Sequence, residues 1–249
     1  MKVSAVVVSH GNAADLERSL PALAPQVDEL LVIQNLPEDE PANARVLRND
    51  RPLGFAANVN RGVRETTGEL VLTVNPDAVA HPGAVDALRT FMEAHPKAGV
   101  AGPKMLYPNG EPQPSRRACP TVAGTLVRRT PLRRLRDPYV HQARHYNLGE
   151  LPTEPVEADW MLGGFLLLRR AMLDELGGLD EGFRLYGEDI DLCYRAAKAG
   201  WERWYVPAAV VEHEHKAETD RRLLTRRTLW HWRGILRFVR KHPERLRAL

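Results

Sequence analysis

The sequence predicts an α/β fold with a mostly parallel central sheet flanked by helices, and three observations point to it. Short β-rich runs alternate with helical patterns through the first hundred residues, as they do where helices join parallel strands. One such run ends at Val74 in Asn75-Pro76-Asp77, which puts a carboxylate at the carboxyl end of a strand, where open α/β sheets take their ligands. The chain's 249 residues are 43% hydrophobic, enough to bury a substantial core in one domain or two fused halves.

The elements follow in order. Val3 to Val8 is a strand, and Asn12 is placed to cap a helix reaching about Leu23. Glu29 to Gln34 is the second strand and Arg45 to Arg48 a shorter third. Gly54 opens a helix to about Thr66, Gly68 ends it, and Glu69 to Val74 returns as a strand. Pro82 suits the first turn of a helix running to about Glu93. Residues 103 to 155 are rich in Pro and Arg, with a turn at Pro108-Asn109-Gly110. Sparse regular structure is expected there, apart from a helix near 121 to 129. Ala158 to Leu168 reads as one strand, Arg170 to Leu176 as a helix ended by Gly177-Gly178, and Leu179 to Gly187 as a loop. Glu188 to Ala199 is a helix stopped by Gly200, and strands follow near Glu202 to Tyr205 and Ala209 to Val211. A terminal helix covers about Thr219 to Lys241. No repeat of solenoid period is present.

Composition excludes several classes. With 27% charged residues and a formal net charge of +3, the chain is not a polyelectrolyte built for nucleic acid. The basicity is concentrated at the end, where residues 216 to 249 hold eleven Lys or Arg against three acids. Cys119 and Cys193 are far apart and form no CxxC pair, so neither a disulfide framework nor a thiolate zinc site is expected, and a reducing cytoplasm is the default location. Met1 to Ser9 reads as a buried strand rather than a leader, and Trp160 to Leu168 is far short of the roughly 20 residues that span a bilayer. In the terminal helix Trp230, Trp232, Ile235, Leu236, Phe238 and Val239 interleave with the basic residues. That pattern suits peripheral contact at the inner face of a membrane, or packing of the helix onto the rest of the domain.

Three acidic or histidine clusters carry the chemistry. Asp77 stands where a divalent cation would bridge a carboxylate to diphosphate oxygens, although Asn-Pro-Asp is also good turn chemistry. Gly187-Glu188-Asp189-Ile190-Asp191 opens a helix behind a Gly-rich, aromatic loop. Asp191 pairs with Arg195 at i,i+4 in a structural role, while Glu188 or Asp189 is placed to act as a carboxylate base toward a hydroxyl. The helix N-terminus favours the ionised form of Asp189 and the Glu188 charge opposes it. In Glu212-His213-Glu214-His215, the two histidines share a strand face, and one imidazole can join Asp77 on a metal or simply be solvated.

Taken together the segments resemble the family 2 glycosyltransferases, and particularly their rhamnosyltransferase-like branch. The resemblance rests on the order of Val6-Val7-Val8-Ser9-His10-Gly11-Asn12, Val32-Ile33-Gln34-Asn35, Leu53-Gly54-Phe55 through Asn60-Arg61-Gly62, Val74-Asn75-Pro76-Asp77 and Gly187-Glu188-Asp189 through Arg195. It implies a GT-A fold, with a Rossmann-like donor-binding half over 1–102, an acceptor-binding and catalytic half of the same domain over 103–215, and a basic amphipathic helix over 216–249. It further implies a nucleotide-diphosphate sugar donor, a glycan or lipid-linked acceptor, an Mg²⁺ or Mn²⁺ ion, and transfer with inversion. By the same resemblance Asp189 matches the catalytic base, with Glu188 beside it, and Asp77 the last acid of a DxD-like metal motif. His213 matches the late histidine that completes the metal shell. Ser9, His10, Asn12, Gln34, Asn35, Gly54, Asn60, Arg61, Asn75 and Asp77 fall in donor-binding segments. Two positions depart from the family pattern: Gln34 replaces an acid that contacts the base, and Asn75 replaces the first acid of a full DxD. Two rival readings are a non-catalytic nucleotide-sugar binding module and a nucleotidyltransferase, though His10-Gly11-Asn12 lacks the Gly-rich, basic loop the latter needs.

Overall fold

In the computed structural model, residues 1–42, 44–119, 151–214 and 226–246 are described. The strands are β1 (Val3–Ser9), β2 (Glu29–Gln34), β3 (Arg45–Arg48), β4 (Leu70–Val74), β5 (Ala78–Ala80), β6 (Ala98–Leu106), β7 (Pro112–Gln113), β8 (Arg116–Arg117), β9 (Val156–Glu157), β10 (Trp160–Met161), β11 (Phe165–Arg169) and β12 (Glu202–His213). The helices are α1 (Ala13–Leu23), α2 (Phe55–Glu65), α3 (Ala84–Ala94), α4 (Arg170–Leu176), α5 (Glu188–Lys198) and α6 (Arg226–Lys241).

One sheet organises the molecule, in the order β3-β2-β1-β4-β11-β6-β12-β5, with β7 added to β6 and β9 to β12. The first four strands are parallel, as are β6 and β12, while β11 lies antiparallel between β4 and β6. Side chains alternate across a strand, and the two faces of the sheet build two cores. Val3, Ala5 and Val7 pack with Leu16 and Leu20 of α1 and with Leu88 and Met92 of α3. Val6 and Val8 on the opposite face pack with Val59 of α2, Met172 of α4 and Leu192 of α5. The predicted α/β architecture therefore holds, with helices on both faces of a mostly parallel sheet.

Several element boundaries differ from expectation. The central strand β6 is absent from the sequence reading because Gly99, Gly102 and Pro103 look like breakers. Here the glycines make room for neighbouring side chains: a Cβ would lie 2.5 Å from Met172 Sδ at Gly99 and 2.6 Å from Met161 Sδ at Gly102. Ala158 to Leu168 is not one strand but β10 and β11, separated at Leu162-Gly163-Gly164. The strands expected near 202–205 and 209–211 are a single β12, whose pairing with β6 shifts register between Val206 and Val210, around Pro207. A proline cannot donate to the ladder, and a bulge accommodates it. Asn12 sits at the α1 N-cap but makes no capping bond; its Oδ1 accepts the His10 N–H instead. The helix predicted near 121–129, and residues 219–225 of the predicted terminal helix, lie outside the described residues.

Candidate active site

The carboxyl ends of β1, β2 and β4 converge on one rim, and most of the predicted residues gather there. At the β1 end Ser9 Oγ accepts the Asn12 N–H at 3.3 Å. His10 Nδ1 meets Asn35 Nδ2 at 3.0 Å. Asn35 also donates to the Leu53 carbonyl and accepts from the Leu53 N–H and from Asn49. Asn49 in turn accepts from the Arg61 guanidinium. Gln34 is buried, bonded to the Asp39 carbonyl and to Arg48 Nε. The result is a polar floor across the strand ends, with Asn49 a member the sequence did not signal. Gly54 borders it against the Arg184 carbonyl, which accepts the Phe55 N–H at 3.1 Å. Asn60 is spent elsewhere: its amide donates to the Leu179 carbonyl and Glu181, and its Oδ1 accepts the Leu179 N–H.

Sheet register creates the second part of the rim. β5 folds back and pairs with the end of β12, Ala78 opposite His213, so Asp77 lies beside the imidazole. Asp77 Oδ1 is 3.5 Å from His213 Nε2, and Asn75 Nδ2 is 3.4 Å from the same nitrogen. On the other side His213 Nδ1 is 2.8 Å from Gln113 Oε1, a partner with no sequence signal.

Gly163 and Gly164 join this pair to the acidic helix. The Gly163 N–H donates to Asp189 Oδ2 at 3.2 Å, and the Gly164 carbonyl accepts the Asn75 N–H at 2.8 Å. A Cβ on Gly164 would come within 3.1 Å of His213 Nε2, and one on Gly163 within 3.4 Å of Asp189 Cβ. The two adjacent glycines therefore tie the Asp189 carboxylate and the His213 imidazole to one junction. Two adjacent glycines inside a strand pattern are the signal that would have marked this junction.

Asp189 and Glu188 stand at the start of α5, after Gly187 and Tyr186, both at positive φ (98° and 71°). A tyrosine in the left-handed region is strained and is sustained by its surroundings. Burial pushes the Asp189 carboxyl up, although the side chain keeps partial solvent contact. The Ile190 and Gly163 N–H groups and Arg117 oppose that rise. Glu188 is only 7% exposed, and its Oε2 has no hydrogen-bond partner within the described structure. Burial first, and the Asp189 charge second, push its carboxyl up to about 8. Desolvation thus outweighs the helix N-terminus at this pair.

That shift has a consequence for stability. The unfolded chain releases the Glu188 proton near the ordinary 4.5, whereas the folded state holds it to higher pH. Stability is therefore fully present below about 4.5 and is lost as pH climbs toward 8. Glu188→Gln removes this loss. Its melting-temperature advantage over the parent should be larger at pH 8 than at pH 5 by several degrees, at roughly 2–4 °C for each kcal/mol in a chain of this size. An equal difference at both pH values would refute the assignment.

The sequence model described as "Glycosyltransferase like family 2" matches residues 25–231. The chain belongs to glycosyltransferase family 2. Among similar proteins, an N-acetylglucosaminyl-diphospho-decaprenol L-rhamnosyltransferase of Mycobacterium tuberculosis is 33% identical over 235 residues, covering 83% of this chain and 75% of its own. The hexosyltransferase Agl10 of low-salt glycan biosynthesis in Haloferax volcanii is 26% identical over 155 residues, covering 58% and 43%. Solved structures give the fold. GalNAc-T7 with UDP, GalNAc and Mn²⁺ superposes with a TM-score of 0.64 at 18% identity, over 86% of this chain and 44% of its own. The mannosyltransferase PcManGT of Pyrobaculum calidifontis, with GDP-Man and Mn²⁺, gives 0.58 at 16% identity, over 88% and 60%. The glycosyltransferase described here therefore has the GT-A fold and spans less than two thirds of either of those chains.

In this glycosyltransferase α6 packs on α5 and the loop before it. Asp191 is fully buried, and its carboxylate takes Arg195 Nε at 2.7 Å, as its spacing predicted, together with Lys241 Nζ at 3.0 Å and His242 Nε2 at 2.9 Å. Asp180, in the loop before α5, accepts from Arg237 and Lys241. Desolvation alone would raise its carboxyl, but these cations hold it well below the usual range. Arg184 of the same loop stacks over Trp230, and Tyr186 meets His231 edge-on. The α6 segment thus braces the loop that presents Asp189. Its outer side leaves Leu229 and Leu236, each 51% exposed, beside exposed Arg233 and Arg240. No described helix is long and apolar enough to cross a membrane.

Proposed function

We propose that this glycosyltransferase moves a sugar, with inversion, from a nucleotide-diphosphate donor of the dTDP or UDP type to a hydroxyl of a glycan or lipid-linked acceptor. The observation that carries this reading is the junction at Gly163-Gly164, whose adjacent glycines contact the Asp189 carboxylate on one hand and the imidazole of the Asp77–His213 pair on the other. The donor half is residues 1–102, its sugar-nucleotide lying over the polar floor of Ser9, His10, Asn12, Gln34, Asn35, Gly54 and Arg61, with Asn60 holding the loop beside it. The acceptor and catalytic half is 103–215. The similarity to a rhamnosyltransferase whose name specifies a diphospho-decaprenol sugar supports a lipid-linked acceptor.

The residues fit a Mg²⁺ or Mn²⁺ ion. A carboxylate and an imidazole nitrogen 3.5 Å apart are close to the roughly 3 Å between adjacent ligands of an octahedral ion. Among the described residues no third His, Cys, Asp or Glu joins them, which suits an ion completed by substrate phosphates and water. When bound, it supplies charge neutralisation for the leaving diphosphate. Asp189 takes the proton of the acceptor hydroxyl as its oxygen bonds to the anomeric carbon and the bond to the diphosphate breaks. One displacement with one base gives inversion. Transfer to a polyprenyl-diphosphate-linked N-acetylglucosamine from a panel of nucleotide sugars, with Mn²⁺ or EDTA and with the product's anomeric configuration read by NMR, tests the reading. Retention of configuration, or equal transfer in EDTA, would overturn it.

The outer side of α6 is a peripheral contact for the inner, anionic face of a membrane, with no role in nucleic-acid binding. Its exposed leucines insert while its arginines meet headgroups. Leu229→Glu with Leu236→Glu should lower co-sedimentation with phosphatidylglycerol vesicles several-fold, and added salt should weaken binding of the parent chain. Equal binding by both chains would leave α6 only its packing role.

A further inference from the structure

The partner of His213 on its far side is fixed by three strands. Met105 of β6 lies opposite both Gln113 of β7 and Val211 of β12. This register brings Gln113 and His213, one hundred residues apart, into contact in the interior, where they are 2% and 4% exposed.

Two hydrogen bonds define the contact. Gln113 Nε2 donates to the His213 carbonyl at 3.4 Å, and Gln113 Oε1 lies 2.8 Å from His213 Nδ1. A backbone carbonyl only accepts, so the amide NH₂ must face it and the amide oxygen must face the ring. An amide oxygen likewise only accepts, so Nδ1 must carry the proton. In the neutral imidazole the lone pair then lies on Nε2, the atom that faces Asn75 and Asp77.

From this geometry we infer that Gln113 is a positioning residue that locks His213 in the Nδ1–H tautomer, keeping Nε2 as the ligand atom for the divalent cation. The inference rests on the proposed metal pair and goes beyond it. Which nitrogen a ligand histidine offers to a metal is set by the hydrogen bond the other one makes to an outer partner. An amide does this without adding charge, so the ion's protein charge comes from Asp77 alone.

The test uses the full chain labelled with ¹⁵N-histidine, together with Mn²⁺ alone as the probe. Nitrogen shifts of His213 in the metal-free protein report the tautomer, and electron paramagnetic resonance of free Mn²⁺ reports affinity. The parent should show the Nδ1–H form. Gln113→Leu should show mixed tautomers and bind Mn²⁺ about 10- to 100-fold more weakly, the usual effect of removing an outer partner. Gln113→Glu restores an acceptor for Nδ1–H and should recover most of the affinity. If Gln113→Leu lowers expression of folded protein, Gln113→Met supplies the same loss of acceptor at closer volume. An unchanged tautomer and affinity in Gln113→Leu, with Asp77→Asn still weakening Mn²⁺ binding, overturns the role of Gln113 and leaves the metal pair standing. Unchanged Mn²⁺ binding in Asp77→Asn instead removes the metal pair itself, and a Gln113→Leu tautomer that also stays fixed removes both.

Discussion

Asp189→Asn is expected to lower the rate of sugar transfer by roughly two to four orders of magnitude, the usual contribution of a general base. At about 1.36 kcal/mol per decade this is about 3–5 kcal/mol of lost transition-state stabilisation. Donor affinity should stay nearly unchanged, because the change removes a proton acceptor rather than a donor contact. The upward push on the carboxyl by burial works in favour of the role, since a base is most effective when its pKa approaches the working pH. The asparagine keeps the size of the side chain but can accept only one of the two N–H groups that the carboxylate takes, from Gly163 and Ile190. A melting curve must therefore accompany the kinetics. Transfer at close to the parent rate would make Asp189 structural and move the role to Glu188.

Asp77→Asn is the second large effect. It should abolish most metal-stimulated transfer and weaken Mn²⁺ binding at least tenfold, while the sheet register of Ala78 with His213 stays intact. The fold should tolerate the change because Asp77 lies at a strand end, where its carboxylate contributes more to the site than to the core. Titration with Mn²⁺, with and without UDP, followed by transfer assays at saturating metal, separates weaker binding from slower chemistry. Full activity of the variant in the presence of EDTA would exclude a metal at this pair.

How much of this was legible in the sequence depends on where the information lies. β1, β2 and β4 are apolar runs, buried over most of their length, and such runs announce themselves. β6 is mostly buried too, but Gly99 and Gly102 interrupt its apolar pattern, and Met172 and Met161 occupy the space that side chains there would fill. Its meaning lies in its neighbours rather than in its own composition. The site divides in the same way. Asp77, Asp189 and His213 stand at element ends, where a charged residue beside an apolar run is conspicuous. Gln113 sits in a Pro-rich stretch, and only the pairing of β6 with both β7 and β12 makes it a partner of His213. The packing of α6 was open from the sequence, since an amphipathic helix has one face for the domain and another to spare. Asp180 and Asp191 decide which side of α6 is turned inward.

The place of β11 in the sheet has a bearing on how the chain is made. β4 has β1 on one side and waits for β11 on the other, while among the described residues β6 pairs with β7, β11 and β12. On a ribosome adding about 5–20 residues per second, the interval from the end of β6 to the end of β11 lasts roughly 3–13 seconds. Throughout it the nascent chain carries an apolar strand edge without its neighbour, the condition that invites pairing with other chains. Chaperone dependence during synthesis, and low yield from fragments that stop before Phe165, follow from that single insertion.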